Sequence, residues 1–425
     1  NIPHLQRYVS AIEAATDIFR GLSERLQKKL NCEAQEIQAV ITIPVCSSGL
    51  QRSRIYQAAK TAGIDVAAIV TEPFAAMFAL EDVFEESEDA NVLIFDFGGS
   101  TLDLSLFHIH HDDGIRIEEL ASAGMPYGGI DIDEAIFSEI MKTKYPLEIK
   151  EIKANDDTVD QAKTTQELRD MVTALKEKLF EEDNESSSRL YTFYGNSKPY
   201  EFELTRQEME ELFKRHNLKE KIFGLLDELF GQTYMTKEEI MHVKTFGGTS
   251  RIKYVLDSLT EYFGTDIFDS DDYEWEEESI SDVAIGAARH LSIRKENEIE
   301  IVSKIPFSLG IAKGKFFKKY LDYCPPYGQR TKRIPLPWQE LDDSRNRVSV
   351  YLCFADSENV KIVGNDGAVY VGSVTVNPSL YHASDGILLE MELADSESLK
   401  MIFSEMGTSG LVEIETQIIP LDGNR

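Results

Sequence analysis

The chain has 425 residues, 42% hydrophobic and 28% charged, which suits a soluble globular protein long enough for two or three cores. Its 75 acidic residues against 44 basic ones leave a net charge of -31, which argues against binding to nucleic acid or to an anionic membrane surface. No apolar run approaches the roughly 20 residues of a membrane span, and no signal peptide opens the chain. Cys32, Cys46, Cys324 and Cys353 are widely spaced without a CxxC pair, which favours a reducing, cytoplasmic compartment over a zinc site or disulfide framework.

The chain opens at Asn1 without methionine, within what reads as a helix, as expected of part of a longer protein. From Ile37 to Glu139 the pattern is α/β. Ile37 to Ile43 reads as a buried strand, and Gln51 to Ala62 as a helix with Ile55, Ala58, Ala59 and Ala62 on one face. Val66 to Val70 is a second strand. Thr71 then offers an N-cap, with Pro73 in the first turn of a helix carrying Ala76, Phe78 and Leu80. Three meandering strands follow, Val92–Asp96, Leu102–Ile109 and Ile115–Ala121, with a hairpin signal at Asp113-Gly114 and a helix from about Asp131. Residues 150 to 240 read as mostly helical. Capping boxes stand at Thr205 and Thr236, and Ile222, Leu225, Leu226, Leu229 and Phe230 form a core stripe. Met241 to Phe246 is a further strand, and the helix after it buries Ile252, Val255, Leu256, Leu259 and Phe263. Beyond Ser303, regular alternation in short segments predicts a separate β-sandwich.

Phe95-Asp96-Phe97-Gly98-Gly99-Ser100-Thr101-Leu102-Asp103 carries the strongest chemical signal. A glycine turn lets backbone amides approach phosphate oxygens. Carboxylates at Asp96 and Asp103 would repel phosphate unless a hard cation such as Mg²⁺ lay between them. Taken alone, the turn is equally a plain hairpin with polar ends. Gly128-Gly129 and Gly247-Gly248, each ahead of a helix, add two further anion sites, and together the three favour nucleotide binding.

The segments AVITIPV, LQRSRIYQAAKTAGI, TEPFAAMFAL, NVLIFDFGGSTLDLSLF, YGGIDID, LTRQEMEEL, FGGTSRI and SDVAIGAA stand in the order seen in the heat-shock-70 (DnaK-type) chaperone family, which the chain resembles along nearly its whole length. The later PFSLGI resembles the opening of that family's peptide-binding domain. The resemblance implies a two-lobed, actin-like (ribonuclease H-like) α/β ATPase domain over residues 1–298, with a helical subdomain at about 127–215. A linker at 299–304 and a β-sandwich peptide-binding domain at 305–425 would follow. It implies ATP or ADP with Mg²⁺ as cofactors, unfolded or extended peptide clients, a J-domain cochaperone and a nucleotide-exchange factor.

By motif position, Asp96 would hold Mg²⁺ through its water shell, and Gly98, Gly99 and Ser100 would form the phosphate turn with Thr101. Glu72 and Asp103 would orient the attacking water or the metal. Gly128 and Gly129 would line the cleft, Lys176 would sit near the ribose, and Gly247, Gly248 and Arg251 would border the adenosine. The family's first phosphate hairpin and catalytic lysine would precede residue 1. Ser100 replaces a third glycine, Glu177 an adenine-stacking arginine, and Ile299-Glu300-Ile301-Val302-Ser303 a leucine-rich linker. These departures leave open an inactive ATP-binding scaffold or exchange cochaperone. A sugar kinase or actin-like filament protein would not explain PFSLGI or the β-rich tail.

His108, His110 and His111 read as a solvated hairpin end rather than a metal site. Asp269 to Glu278 is an acidic surface loop without the glycine of a calcium loop.

Overall fold

A computed structural model describes residues 9–32, 37–47, 49–80, 89–111, 114–154, 158–181, 184–193, 198–264, 281–296, 299–302, 308–313, 316–321, 331–336, 348–355, 369–376, 387–395, 398–407 and 410–420. The acidic loop around Trp275 and the hairpin tip at Asp113 lie outside these residues. The chain divides into two compact units. One takes its described residues from 90–106 and 123–282, and the other comprises 9–89, 107–122 and 283–425.

The second unit begins with α1 (Ala11–Leu30), whose start is fixed by Ser10. The Ser10 hydroxyl accepts the Glu13 amide at 3.2 Å, while the Glu13 carboxylate accepts the Ser10 amide at 2.8 Å. This reciprocal cap fixes the start of α1 at Ala11; the helix read at Asn1 lies outside the described residues. Ser10→Ala is expected to cost about 1 kcal/mol of helix stability, read as faster hydrogen exchange in the first turn of α1.

β1 (Gln38–Ile43) pairs in parallel with β2 (Asp65–Thr71), and α2 (Gly49–Thr61) connects them. Ala58, Ala59 and Tyr56 of α2 are buried, and Ile41, Ile43 and Ile69 complete that core. α3 (Glu72–Met77) is shorter than its sequence suggests, ending where Phe78 caps it, so Phe78 and Leu80 lie beyond the helix. Thr71 occupies the N-cap position without a side-chain capping bond, and Pro73 falls in the first turn as expected.

The meander appears as β3 (Ala90–Phe97), β4 (Leu102–His110) and β5 (Ile115–Met125). These lie in a five-stranded sheet of order β8-β3-β4-β5-β9. Leu93, Ile94, Phe95, Phe97, Leu102 and Leu104 are all fully buried, which is why this stretch reads as continuous hydrophobic runs. β8 (His242–Phe246) joins β3 in parallel. The linker residues form β9 (Ile299–Val302), parallel to β5, with Glu300 at the register position opposite Arg116.

In the first unit, α4 (Gly129–Ala135) continues through a π-helical turn, Ile136–Met141, to Lys144, and buries Ile132, Ala135, Ile136 and Ile140. α5 (Pro146–Ala154) and the long α6 (Thr158–Glu181) follow. The stretch read as mostly helical contains a two-stranded antiparallel sheet, β6 (Ser186–Tyr191) with β7 (Tyr200–Thr205). Alternating burial in β7 hides Tyr200, Phe202 and Leu204, a period of two that the flanking helical pattern obscured. Thr205 caps α7 (Arg206–Arg215) through its box with Glu208. α8 (Leu218–Gly231) buries Ile222, Leu225, Leu226 and Leu229. The Thr236 box caps only a single 3₁₀ turn, Lys237–Glu239. α9 (Lys253–Phe263) buries Val255, Ser258 and Leu259.

α10 (Asp282–Glu296) closes the helical part of the second unit. Among the described residues eight strands follow: β10 (Ser308–Lys313), β11 (Phe316–Leu321), β12 (Ile334–Leu336), β13 (Val348–Ala355), β14 (Val369–Val376), β15 (Ile387–Asp395), β16 (Ser398–Gly407) and β17 (Gly410–Pro420). They form two four-stranded antiparallel sheets, β11-β10-β13-β14 and β12-β15-β16-β17. Ile387, Leu389 and Met391 are buried at alternate positions of β15, as their sequence pattern requires.

Candidate nucleotide-binding site

Three glycine turns, far apart in sequence, meet in the first unit at the mouth of β3 and β4. Gly98 donates its amide to the Thr101 carbonyl at 3.0 Å and so closes the hairpin itself. The carbonyls of the turn then serve as anchors. Gly98 accepts the Gly129 amide at 3.1 Å, and Gly99 accepts the Ile130 amide at 2.8 Å. Phe97 accepts the Thr249 amide at 3.0 Å, and the Thr249 hydroxyl donates to the Gly98 carbonyl at 2.8 Å. The first turn of α4 and the turn after β8 thus together clamp three consecutive carbonyls, sharing that of Gly98.

Glycine is required in this clamp by close approach. A Cβ on Gly128 would lie 2.4 Å from the carbonyl carbon and oxygen of Gly99. Gly247 takes a φ of +80°, and a Cβ there would lie 2.5 Å from the Phe97 oxygen and 2.8 Å from Asp96 Oδ1. A Cβ on Gly99 or Gly248, by contrast, would meet no described atom within 4 Å. Gly99 and Ser100 are exposed, so the turn presents open backbone on that side. Gly128 is also the cap residue of α4, its amide donating to Asp131 at 2.8 Å, so the helix starts two residues earlier than its sequence pattern indicates.

Two carboxylates lie beneath the turn. Asp103 is fully buried in β4 and Asp96 is nearly so at the end of β3. Burial, and then the negative charge of Asp103, push the Asp96 carboxyl up to about 7. Two acids held together out of water are relieved by a cation between them, so this donor pair fits a hard divalent ion with oxygen ligands. Thr101, half-buried, ends the turn two residues ahead of Asp103.

Lys176 reaches the same region from α6. Its ammonium pairs with Asp133 at 2.8 Å and donates to the Gly129 carbonyl at 3.2 Å, with each side chain of the pair only 12% exposed. Asp133 also accepts the Thr173 hydroxyl at 2.8 Å. Arg251 follows Ser250 in the turn before α9, a turn braced by the Ser250 hydroxyl on the Gly247 carbonyl at 2.6 Å. Sequence reasoning missed Asp133 and Thr249 as site residues. Both lay within the quoted motifs, but only the fold shows what they hold. Glu72 opens α3 and belongs to the other unit.

A family model described as "Hsp70 protein" matches residues 4–350. Among curated proteins, the chain is 28% identical over 311 residues to the "Chaperone protein HscA homolog" of Aliivibrio fischeri (strain MJ11), covering 72% of this chain and 45% of that protein. It is 23% identical over 424 residues to the protein of the same description from Chromobacterium violaceum, covering 97% of this chain and 62% of the relative. The chain thus spans about half the length of the curated relatives it matches. Its mixed α/β architecture is consistent with the actin-like ATPase fold of that family. The glycine turns, their order along the chain and the extent of the match all agree, and the chain belongs to the Hsp70 family as a divergent member.

Proposed function

We propose that this chain is the ATP-binding and peptide-binding portion of an Hsp70-type chaperone. The carrying observation is the convergence of the three glycine turns on the carbonyls of Phe97, Gly98 and Gly99, a turn flanked in sequence by the buried Asp96 and Asp103. Exposed backbone at Gly99 and Ser100, with Thr101, would receive phosphate oxygens, and Gly128, Gly129, Gly247 and Gly248 hold or border that turn. Asp96 and Asp103 would hold Mg²⁺, which when bound neutralises charge between carboxylate and phosphate. Lys176, fixed by Asp133, would face the ribose, and Arg251 the adenosine. Asp103 would orient the attacking water; Glu72, in the other unit, takes the same role by motif position alone. ATP hydrolysis then consists mainly of positioning and charge neutralisation by these groups.

The two antiparallel sheets after Ser308 would pack as a sandwich and capture extended peptide by strand-like hydrogen bonds and apolar pockets. A J-domain cochaperone and an exchange factor would act on the nucleotide cycle. Among the described residues no helix is long and apolar enough to cross a membrane; the four widely spaced cysteines, without a CxxC pair, support a cytoplasmic setting. Exposed Glu177, in place of a stacking arginine, favours a second reading, an ATP-holding scaffold.

Calorimetric MgATP titration and steady-state phosphate release by the full-length protein test both readings. Binding with turnover supports the chaperone, and tight binding without turnover supports the scaffold. Absence of binding at millimolar ATP would overturn both.

A further inference from the structure

We propose that Asp89, His108 and His110, in the second unit, form a surface site for a divalent transition-metal ion such as Zn²⁺. His108 and His110 are two residues apart on β4, so both side chains project from one face of the strand. Their rings stand edge to face with centroids 4.0 Å apart. Asp89 immediately precedes β3, and its carboxylate is oriented by the His111 amide, which donates to Oδ1 at 2.8 Å. The other oxygen, Oδ2, lies 3.9 Å from His108 Nε2 and 3.6 Å from His110 Nδ1. One donor atom from each of the three residues falls within 4.8 Å of the other two.

The spacing separates a metal site from a simple hydrogen-bonded cluster. At 3.6 and 3.9 Å the imidazole nitrogens are too far from Oδ2 for good hydrogen bonds, which centre near 3 Å. Tetrahedral zinc with bonds of about 2.0–2.2 Å requires ligand atoms roughly 3.3–3.5 Å apart. Closing the two carboxylate gaps by a few tenths of an ångström, with the imidazole nitrogens, already within 4.8 Å of each other, drawn to the same spacing, meets that geometry and leaves a fourth position for water. Two imidazoles with one carboxylate select zinc, copper or nickel over magnesium or calcium, which take all-oxygen shells.

The surroundings supply the outer support such sites carry. With Nδ1 of His110 toward the metal, its other ring nitrogen faces Glu118, whose Oε2 lies 3.9 Å from Nε2. At this distance the carboxylate supports the ring by its charge, and it fixes the tautomer once the gap closes to hydrogen-bond length. All three ligands are partly or fully solvent-exposed, so an ion reaches them without unfolding. The ion would tie the entry of β3 to the far end of β4. The sequence favoured a solvated hairpin end here, because Asp89 lies 19 residues before His108 and only the strand pairing brings it alongside.

The test is Zn²⁺ titration of the full-length protein in excess Mg²⁺, which occupies hard-ligand sites, together with the visible spectrum of the Co²⁺-loaded protein. Expected is one Zn²⁺ per chain and the intense d–d absorption of a tetrahedral site. Affinity should fall at least ~10-fold in His108→Gln and in His110→Gln, and by about 10-fold in Glu118→Gln. His216→Gln, on a separate histidine–glutamate pair, should leave it unchanged. If the histidine variants misfold by circular dichroism, Asp89→Asn at an exposed position decides. Zinc bound no more tightly by the wild type than by folded ligand variants, or displaced equally by Mg²⁺, overturns the site.

Discussion

Gly128→Ala is expected to lower ATP turnover by about 10²-fold and stability by ~1–3 kcal/mol. The backbone at Gly128 is extended, with φ −152° and ψ −168°, so alanine meets no torsional penalty there. The cost is wholly steric. The new methyl would lie 2.4 Å from the Gly99 carbonyl group and from the Ser100 nitrogen, all backbone atoms that cannot rotate away. Relief requires the phosphate turn and the start of α4 to separate, which strains the bonds from Gly129 and Ile130 to Gly98 and Gly99. Gly224→Ala in α8, with no described atom near the new methyl, controls for the substitution and should be neutral to slightly stabilising. Phosphate release and urea unfolding of both variants read the two effects. Wild-type turnover by Gly128→Ala would show that the turn's position does not govern the chemistry.

Asp96→Asn is expected to raise stability at neutral to alkaline pH while reducing MgATP turnover by about 10²-fold or more. The Asp96 carboxyl is pushed up to about 7 in the folded protein, against about 3.9 in an unfolded chain. Between these values the folded state binds the extra proton, so stability falls as pH rises from about 4 to about 7. Below pH 4 both states are protonated and the term vanishes. The span of roughly three pH units corresponds to a cost on the order of 4 kcal/mol for ionised Asp96 at pH 8. Asparagine removes the charge and recovers part of that cost, on the order of 1–3 kcal/mol at pH 8 and little near pH 4. Thermal unfolding of both proteins from pH 4 to 8, without and with Mg²⁺, reads it directly. Mg²⁺ should stabilise the wild type and leave the variant nearly unmoved. A gain of equal size at every pH would show that packing, not charge, distinguishes the two side chains.

Much of the site was legible because its glycines, carboxylates and flanking strands are local in sequence. β3 and β4 read correctly because their residues are buried almost without interruption. The core stripe of α8 and the Thr205 cap were equally plain, since each depends on neighbours within one or two helical turns. The β6–β7 hairpin was hidden because its short alternating strands sit between longer helical patterns. The Thr236 box shows the converse limit. The Glu239 carboxylate accepts the Thr236 amide as the sequence specifies, but the Glu239 amide donates to the Thr236 carbonyl rather than its hydroxyl, and the chain turns into β8 after one 3₁₀ turn, because parallel pairing with β3 claims the next residues.

The sequence by itself determined the family, the order of the strand-glycine segments and the residue types proposed to meet phosphate and cation, because each is encoded within a few consecutive residues. Only the tertiary structure decided what those glycines are for. Gly128 and Gly247 are glycine because backbones from distant segments press against them, whereas Gly99 and Gly248 face open space. It likewise joined Thr249 to Gly98 across 151 residues, Lys176 to Asp133, and Asp89 to His108 and His110. Such contacts depend on strand pairing and helix placement. No periodicity or local propensity carries that information along the chain.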